Sequence, residues 1–132
     1  MKAEKVVKTL LDAAAGVTAL VSTRIYGGQL PQDPALPALV YESVSEVPLP
    51  PSTALAGGEI QVARIQVTAF AADYPGVKAL LDAVRAALSY QSGTIVGVVV
   101  LSVLPDVQGP DLYDDVLLVP YQSRDFLIKH YQ

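Results

Sequence analysis

The chain has 132 residues, a length typical of one domain, with no cysteine and a net charge of −4 at pH 7. These totals exclude disulfides, thiolate metal sites and a cysteine nucleophile, and the nine scattered basic residues argue against sequence-specific DNA binding. Hydrophobic residues make up 52% of the chain and charged residues only 17%, so we expect part of the apolar surface to be buried against other subunits.

The first third of the chain predicts a helix, a stiff connector and a strand. Residues 3–15 repeat apolar side chains at helical spacing and stop before Gly16, and a short helical turn is expected at 18–21. Three prolines between residues 27 and 37 restrict the backbone, so this connector should be rigid. Residues 38–47 are typical of a strand.

The middle of the chain predicts a second strand and the clearest helix. Residues 59–71 alternate between two faces, one with Ala63, Ile65, Val67 and Ala69 and the other with Arg64, Gln66, Thr68 and Phe70. The preceding segment, 48–58, is too long for a tight turn and is predicted to project as an arm or loop. Asp73 is a favourable N-cap and Pro75 lies in the first turn, so a helix should run from there to near Tyr90.

The last third predicts extended segments. Residues 95–104 are apolar on both faces, as expected for a central strand or one covered by a neighbouring subunit. Their apolar run is far shorter than the roughly 20 residues that span a bilayer, so no membrane partner is predicted. Residues 105–111 should form a loop, and strands are expected at 116–119 and 125–129, with Pro120 making their junction an edge or a bend.

The order helix, strand, strand, helix, strand, strand indicates an α+β fold. We expect a single domain over residues 1–132, built on a small, largely antiparallel β-sheet with two α-helices packed on one face.

No arrangement of residues indicates catalysis. His130 is the only histidine, no Gly-x-Ser-x-Gly turn is present, and we interpret His130 as a structural residue of an edge strand. Tyr74 and Lys78 have the spacing of some reductase pairs, but the glycine-rich phosphate turn of those enzymes is absent. A small enzyme or ligand-binding module using these three residues is the alternative to a non-enzymatic protein.

A metal site is also not predicted. Asp111, Asp114 and Asp115 could supply oxygen ligands to a divalent cation, but their spacing does not fit an EF-hand loop. A solvated acidic loop is the preferred interpretation, and neither a metal nor a cofactor is predicted.

Six segments follow one another in an order that a known family shares. They are Leu10-Leu11 with residues 17–21, Arg24-Ile25-Tyr26, residues 36–41, residues 63–67, Asp73-Tyr74 with the alanine-rich helix after it, and Asp111-Leu112-Tyr113. In this order the segments resemble the tail-completion proteins of long-tailed bacteriophages, also called tail terminators or neck proteins.

The resemblance implies a structural virion protein. Such proteins assemble in the host cytoplasm as a ring, usually a hexamer, at the head-proximal end of the tail tube, where the ring ends tube polymerisation and joins tail to head. The implied partners are further copies of the chain, the tail tube protein, the head-completion or connector protein, and genomic DNA that passes through the lumen without sequence-specific binding. Another neck component, a head-completion or adaptor protein, is the nearest alternative.

Two proline-bearing segments, 48–58 and 105–115, are predicted to contact neighbouring subunits or neck partners. Arg24 and Arg64 are candidates for ion pairs, either between subunits or within the sheet, with a solvated surface position as the alternative. The predicted interface residues are Arg24, Tyr26, Leu49, Pro50, Leu55, Arg64, Asp106, Asp111 and Tyr113.

Overall fold

The computed structural model describes residues 2–49 and 59–132, and within them the chain forms three helices and seven strands. The predicted arm at 48–58, with Pro50 and Leu55, therefore lies largely outside the described residues. The helices are α1 (Lys2–Ala13), α2 (Ala15–Val21) and α3 (Tyr74–Leu88). The strands are β1 (Ile25–Gly27), β2 (Ala38–Pro48), β3 (Ile60–Phe70), β4 (Gly93–Ile95), β5 (Val98–Gln108), β6 (Leu112–Asp114) and β7 (Val119–Tyr131).

The strands form one curled sheet in the order β1-β2-β3-β7-β5-β4, with β6 pairing to β7. Strands β3 and β7 are paired without interruption from Ile60↔Tyr131 to Phe70↔Tyr121 and make the centre of the sheet. Among the described strands, only the short β1–β2 pairing is parallel. The prediction of an α+β fold on a largely antiparallel sheet is confirmed.

One face of the sheet is buried beneath the helices. The alternation predicted for β3 is confirmed, since its four small and branched residues are at most 1% exposed. They pack with Phe126 and Ile128 of β7 and with Val6, Leu11, Leu80 and Val84 of the helices. The other face carries no helix in the described part of the chain, and we call it the open face.

The prediction of two helices is wrong, because the first helical region is split at Ala14. The backbone of Ala14 is extended (φ −86°, ψ 112°), and α2 continues to Val21, where only a turn was expected. In an unbroken helix Val17 would point about 120° away from Leu11, at about 100° per residue. The break lets Leu11, Val17 and Val21 all lie in the core, each fully buried.

Residues 98–104 of the predicted strand 95–104 lie in a strand, but Ile95 belongs to a separate strand that pairs with it as a hairpin. Val96 (φ 47°) and Gly97 (φ 77°) form a two-residue turn between β4 and β5, with both residues in the left-handed region. Strand β5 then continues to Gln108, so the loop predicted at 105–111 begins later than expected. Pro105 fits in this strand because a register shift separates its pairing with Phe126 from the next pairing, at Gln108.

The two strands predicted between 116 and 129 are also different in the structure. Residues 115–118 form a turn, and β7 is a single strand of 13 residues. Pro120 pairs with Tyr113 of β6 and lies just beyond the β3 pairing, so on the β3 side it occupies an edge position, one of the two predicted alternatives, and β7 continues through it. Strand β7 is therefore central to the sheet along most of its length.

Helix α3 begins as predicted. The Asp73 side chain accepts a hydrogen bond from the Gly76 amide at 2.9 Å, and Pro75 occupies the first turn. None of the described helices has the length and apolarity that crossing a membrane requires.

Replacing Asp73 with alanine tests this cap. The change leaves the first amides of α3 without their side-chain acceptor, so we expect the free energy of unfolding to fall by about 1 kcal/mol. The matched control is Asp82→Ala, which removes an exposed carboxylate from the middle of the same helix. Urea unfolding of both variants checks the difference, and equal losses would contradict a capping role.

Candidate functional site

The open face contains a groove of about 570 Å³ at the end of the sheet where β3 ends and β7 begins. Its floor is formed by the rings of Phe70 and Tyr121, which stack with centroids 5.0 Å apart and planes 21° apart. Beside them the hydroxyls of Thr68 and Ser123 are hydrogen-bonded at 2.8 Å. Residues 28–31 line one side and residues of the 109–117 segment the other. The groove thus combines aromatic and aliphatic contact area with the two hydroxyls and with the carboxylates of Glu42 and Asp114.

Next to the groove, Arg64 joins three strands of the open face. Its guanidinium contacts the carboxylate of Asp106 on β5 and donates to Asp125 on β7 at 3.0 Å. The amide of Gln66 lies 3.4 Å from the same Asp125 carboxylate. The hydrogen bonds with Asp106 and Asp125 raise the pKa of Arg64. Arg64 therefore forms ion pairs within the sheet, which was one of the alternatives predicted for it. Arg64 and Asp106, both predicted as interface residues, contact each other.

A second polar cluster ties the start of α3 to the segment after β5. Lys78 Nζ donates to Asp111 at 2.6 Å and to Gln122 at 2.5 Å, and Tyr74 Oη donates to Asp111 at 3.0 Å. The Gln122 amide in turn donates to the Gly109 carbonyl oxygen at 2.6 Å. Both residues of the reductase-like spacing are therefore engaged in intramolecular hydrogen bonds, and Asp111 is their shared acceptor.

Titration of Asp111 tests this cluster. The hydrogen bond from Lys78, followed by that from Tyr74, lowers the pKa of Asp111 below its ordinary 3.8. A carboxyl group whose pKa is lower in the folded than in the unfolded protein stabilises the folded state at pH values above its ordinary pKa. This contribution to stability is lost as the pH falls through the pKa of the folded state. We expect Lys78→Met to return the pKa toward 3.8 in an NMR titration. The control Lys8→Met should leave Asp111 unchanged, and an unchanged pKa in Lys78→Met would refute the assignment.

The prediction that His130 lies on an edge strand is wrong. His130 is fully buried on β7, where its backbone pairs with Gln61 on one side and Val100 on the other. Its Nδ1 lies 3.0 Å from the Tyr131 carbonyl oxygen and its Nε2 lies 3.1 Å from a carboxylate oxygen of Glu46. The ring thus fastens the outer part of β2 to the centre of the sheet, with no hydroxyl nucleophile beside it among these contacts.

Arg24 has an intramolecular role as well. Its Nε donates to the Pro37 carbonyl oxygen at 2.8 Å and its Nη2 to the Leu20 carbonyl oxygen at 3.3 Å. The side chain therefore connects the end of α2 to the residue just before β2. The stiff connector between these elements is held at both ends.

The remaining predicted interface residues are dispersed. Tyr26 is half-buried on β1, Leu49 is half-buried at the end of β2, and Tyr113 is 57% exposed on β6. Pro50 and Leu55 lie outside the described residues. The predicted residues therefore do not converge on one site, and their inter-subunit contacts stay a prediction.

In the acidic segment with Asp111, Asp114 and Asp115, the Asp114 side chain stabilises a turn. Asp114 Oδ1 accepts hydrogen bonds from the amides of Val116 and Leu117 at 2.9 and 2.8 Å. Over residues 2–49 and 59–132, no group of three or more potential metal-binding side chains comes together.

Several residues of the open face were missed by the sequence analysis. Asp125, Tyr121 and Ser123 occupy alternate positions of β7 and contact Arg64, Phe70 and Thr68 of β3. The available signal was the alternation of β3, which places an aromatic residue on the same face as three polar ones. This alternation does not indicate which strand pairs with β3.

Comparison with known proteins identifies the fold and the family. Residues 5–114 match the family model described as tail completion protein gp17. A chain from the structure titled "Virion of native gene transfer agent (GTA) particle" is similar, with a TM-score of 0.72, 17% sequence identity, and coverage of 96% of this chain and 92% of that chain. No curated protein matches. Because the family model spans most of the chain, the protein belongs to the tail completion protein gp17 family.

Proposed function

We propose that this protein is a non-enzymatic tail terminator: a ring of copies that caps the head-proximal end of a phage tail tube, ends tube polymerisation and joins the tail to the head. The observation that carries the proposal is the match to the tail completion family over residues 5–114. The similar fold in a gene transfer agent virion agrees with a place in a phage-like particle.

The composition of the chain supports a ring around DNA. A ring arises when one surface of a subunit binds a different surface of the next, and the interface repeats until it closes. The low charged fraction of 17% leaves apolar surface available for such contacts. A net charge of −4 suits a lumen that DNA passes through, because cations that neutralise phosphates would hold the DNA in place.

Deletion of the gene from the particle-producing genome tests the terminator role. Without a cap the tube has no signal to stop and no surface for the head, so we expect DNA-filled heads beside unjoined tails of irregular length. Electron micrographs of the lysate give both readouts. Expression of the intact gene in trans is the control and should restore joined particles of uniform tail length.

Two outcomes of the deletion would contradict the proposal. Normal joined particles would show that the protein is dispensable for joining. Tails of uniform length beside heads that have lost their DNA would instead favour a head-completion protein, since tube length would then be set without this chain.

A further inference from the structure

The turn between β6 and β7 displays the two most exposed large aliphatic side chains of the described chain. We call residues 115–118 the turn tip. Val116 is 89% exposed and Leu118 is 67% exposed, although aliphatic side chains are normally buried. Exposed apolar patches mark protein–protein interaction sites, so we take this pair as a candidate contact surface.

The backbone of the turn tip is held by one residue. Asp114 accepts side-chain hydrogen bonds from the amides of Val116 and Leu117, and its carbonyl oxygen accepts from the Leu118 amide at 2.8 Å. Leu118 adopts a left-handed conformation (φ 58°) that a folded turn must impose. Because the turn is already fixed, little conformational entropy remains to be lost when the tip binds a partner.

A complementary surface lies at the other end of β7. Val62, Leu104, Leu127 and Lys129 are neighbours on the open face, since Val62 pairs with Lys129 and Leu104 pairs with Leu127 across adjacent strands. We call these four residues the open-face patch. Each is partly exposed, and together they present three aliphatic side chains beside one ammonium group.

The charges at the two surfaces are opposite. Asp115 lies in the turn tip and is exposed, while Lys129 lies in the open-face patch. Neither residue forms an ion pair among residues 2–49 and 59–132. An aliphatic tip with an adjacent carboxylate therefore matches an aliphatic patch with an adjacent ammonium group.

The two surfaces of one copy cannot meet. Val119, next to the turn tip, is ten residues from Lys129 on the same strand, which corresponds to about 30 Å. The tip must therefore find its partner on another molecule. Because tip and patch are different surfaces, their contact is heterologous, and repeating it generates a ring if the rotation closes.

We propose that the turn tip of each copy docks on the open-face patch of the next copy and forms the repeated contact of the ring. This inference rests on the ring of the proposed function and adds the surfaces that make it. Val116 and Leu118 cover the aliphatic part of the patch, and Asp115 approaches Lys129.

Cross-linking in the natural cysteine-free background tests the contact. Full-length Val116→Cys and Leu104→Cys are mixed and treated with a short bis-maleimide. We expect cross-linked dimers in the mixture, none with either variant alone, and a ladder of oligomers from the double variant. The matched control replaces Leu104→Cys with Val44→Cys, an exposed valine on β2 that should not cross-link to Val116→Cys.

Charged residues introduced at the two apolar positions provide a second test of the contact. Val116→Glu and Leu104→Lys should each raise the concentration at which oligomers dissociate by about ten-fold or more, and the double variant should recover most of the loss. Both positions are at least 37% exposed, so circular dichroism should report an unchanged fold. An unchanged dissociation concentration for Val116→Glu would overturn the proposed contact.

The outcomes separate this contact from the proposed function. If the natural protein forms rings but Val116→Cys and Leu104→Cys do not cross-link to each other, the contact is overturned and the terminator role stands. Cross-linking of Val116→Cys with itself would also overturn it, since that contact would be isologous. Cross-linked open chains without closed rings would support the contact and contradict the ring.

Discussion

Replacing Phe126 with alanine is expected to lower the free energy of unfolding by about 3–5 kcal/mol. Phe126 is fully buried on β7 and pairs with Ile65 of β3 and Pro105 of β5. Strands on both sides hold the backbone in place, so the structure has little freedom to collapse into the space that the ring leaves. The loss of stability should therefore include both the lost burial of the aromatic ring and the cost of the cavity that remains.

Leu127→Ala is the matched control, because it truncates the next residue of the same strand on the opposite, half-exposed face. It should cost about 1 kcal/mol of folding stability, since less apolar area is removed from contact. Both are measured by urea unfolding in the Val116→Glu background, because oligomer formation would otherwise add to apparent stability. Equal losses in the two variants would contradict the assignment of the faces.

Replacing His130 with alanine is expected to cost about 2–4 kcal/mol, the second largest effect. The ring is fully buried and spans from the Tyr131 carbonyl oxygen to the Glu46 carboxylate. The Tyr131 carbonyl oxygen can only accept a hydrogen bond, so Nδ1 must carry a hydrogen. A hydrogen bond between Nε2 and Glu46 then requires a second proton, either on Nε2 or on the Glu46 carboxyl group. Alanine removes the packing and both contacts.

Glu46→Gln separates these contributions. Its side-chain amide can donate to Nε2 of a neutral ring, so the geometry is kept without the second proton. We expect this variant to remain within about 1 kcal/mol of the natural protein by thermal and urea unfolding. A loss as large as that of His130→Ala would show that the charge of the pair, rather than the buried ring, stabilises the outer part of β2.

The elements with strong local signals were predicted well. Helix α3 has a capping aspartate, a proline in its first turn and an apolar stripe, and it begins where the sequence indicates. Strand β2 ends one residue later than predicted and β3 is one residue shorter at each end, because alternation within one strand is a local pattern. The same alternation placed Arg64 on the polar face, where an ion pair within the sheet was one of the predicted alternatives.

The incorrect predictions concern the order of the strands in the sheet and which strands pair with each other. His130 was predicted on an edge strand and Phe126 on a short strand over 125–129, because nothing local indicates that the last strand is inserted between β3 and β5. The groove floor joins Phe70 to Tyr121, 51 positions apart by their numbers, and only the β3–β7 register brings them together. The apolar run at 116–119 was predicted as a strand because hydrophobicity alone does not distinguish a buried strand from an exposed turn.

Electron microscopy of the purified protein tests the central claim most directly. If the protein is a tail terminator that assembles through a repeated heterologous contact, particles should appear as closed rings of uniform diameter with an open centre, and mass photometry should give one integer number of copies. A preparation that is entirely monomeric at the concentration of assembly, or that forms open filaments without closure, would contradict the ring.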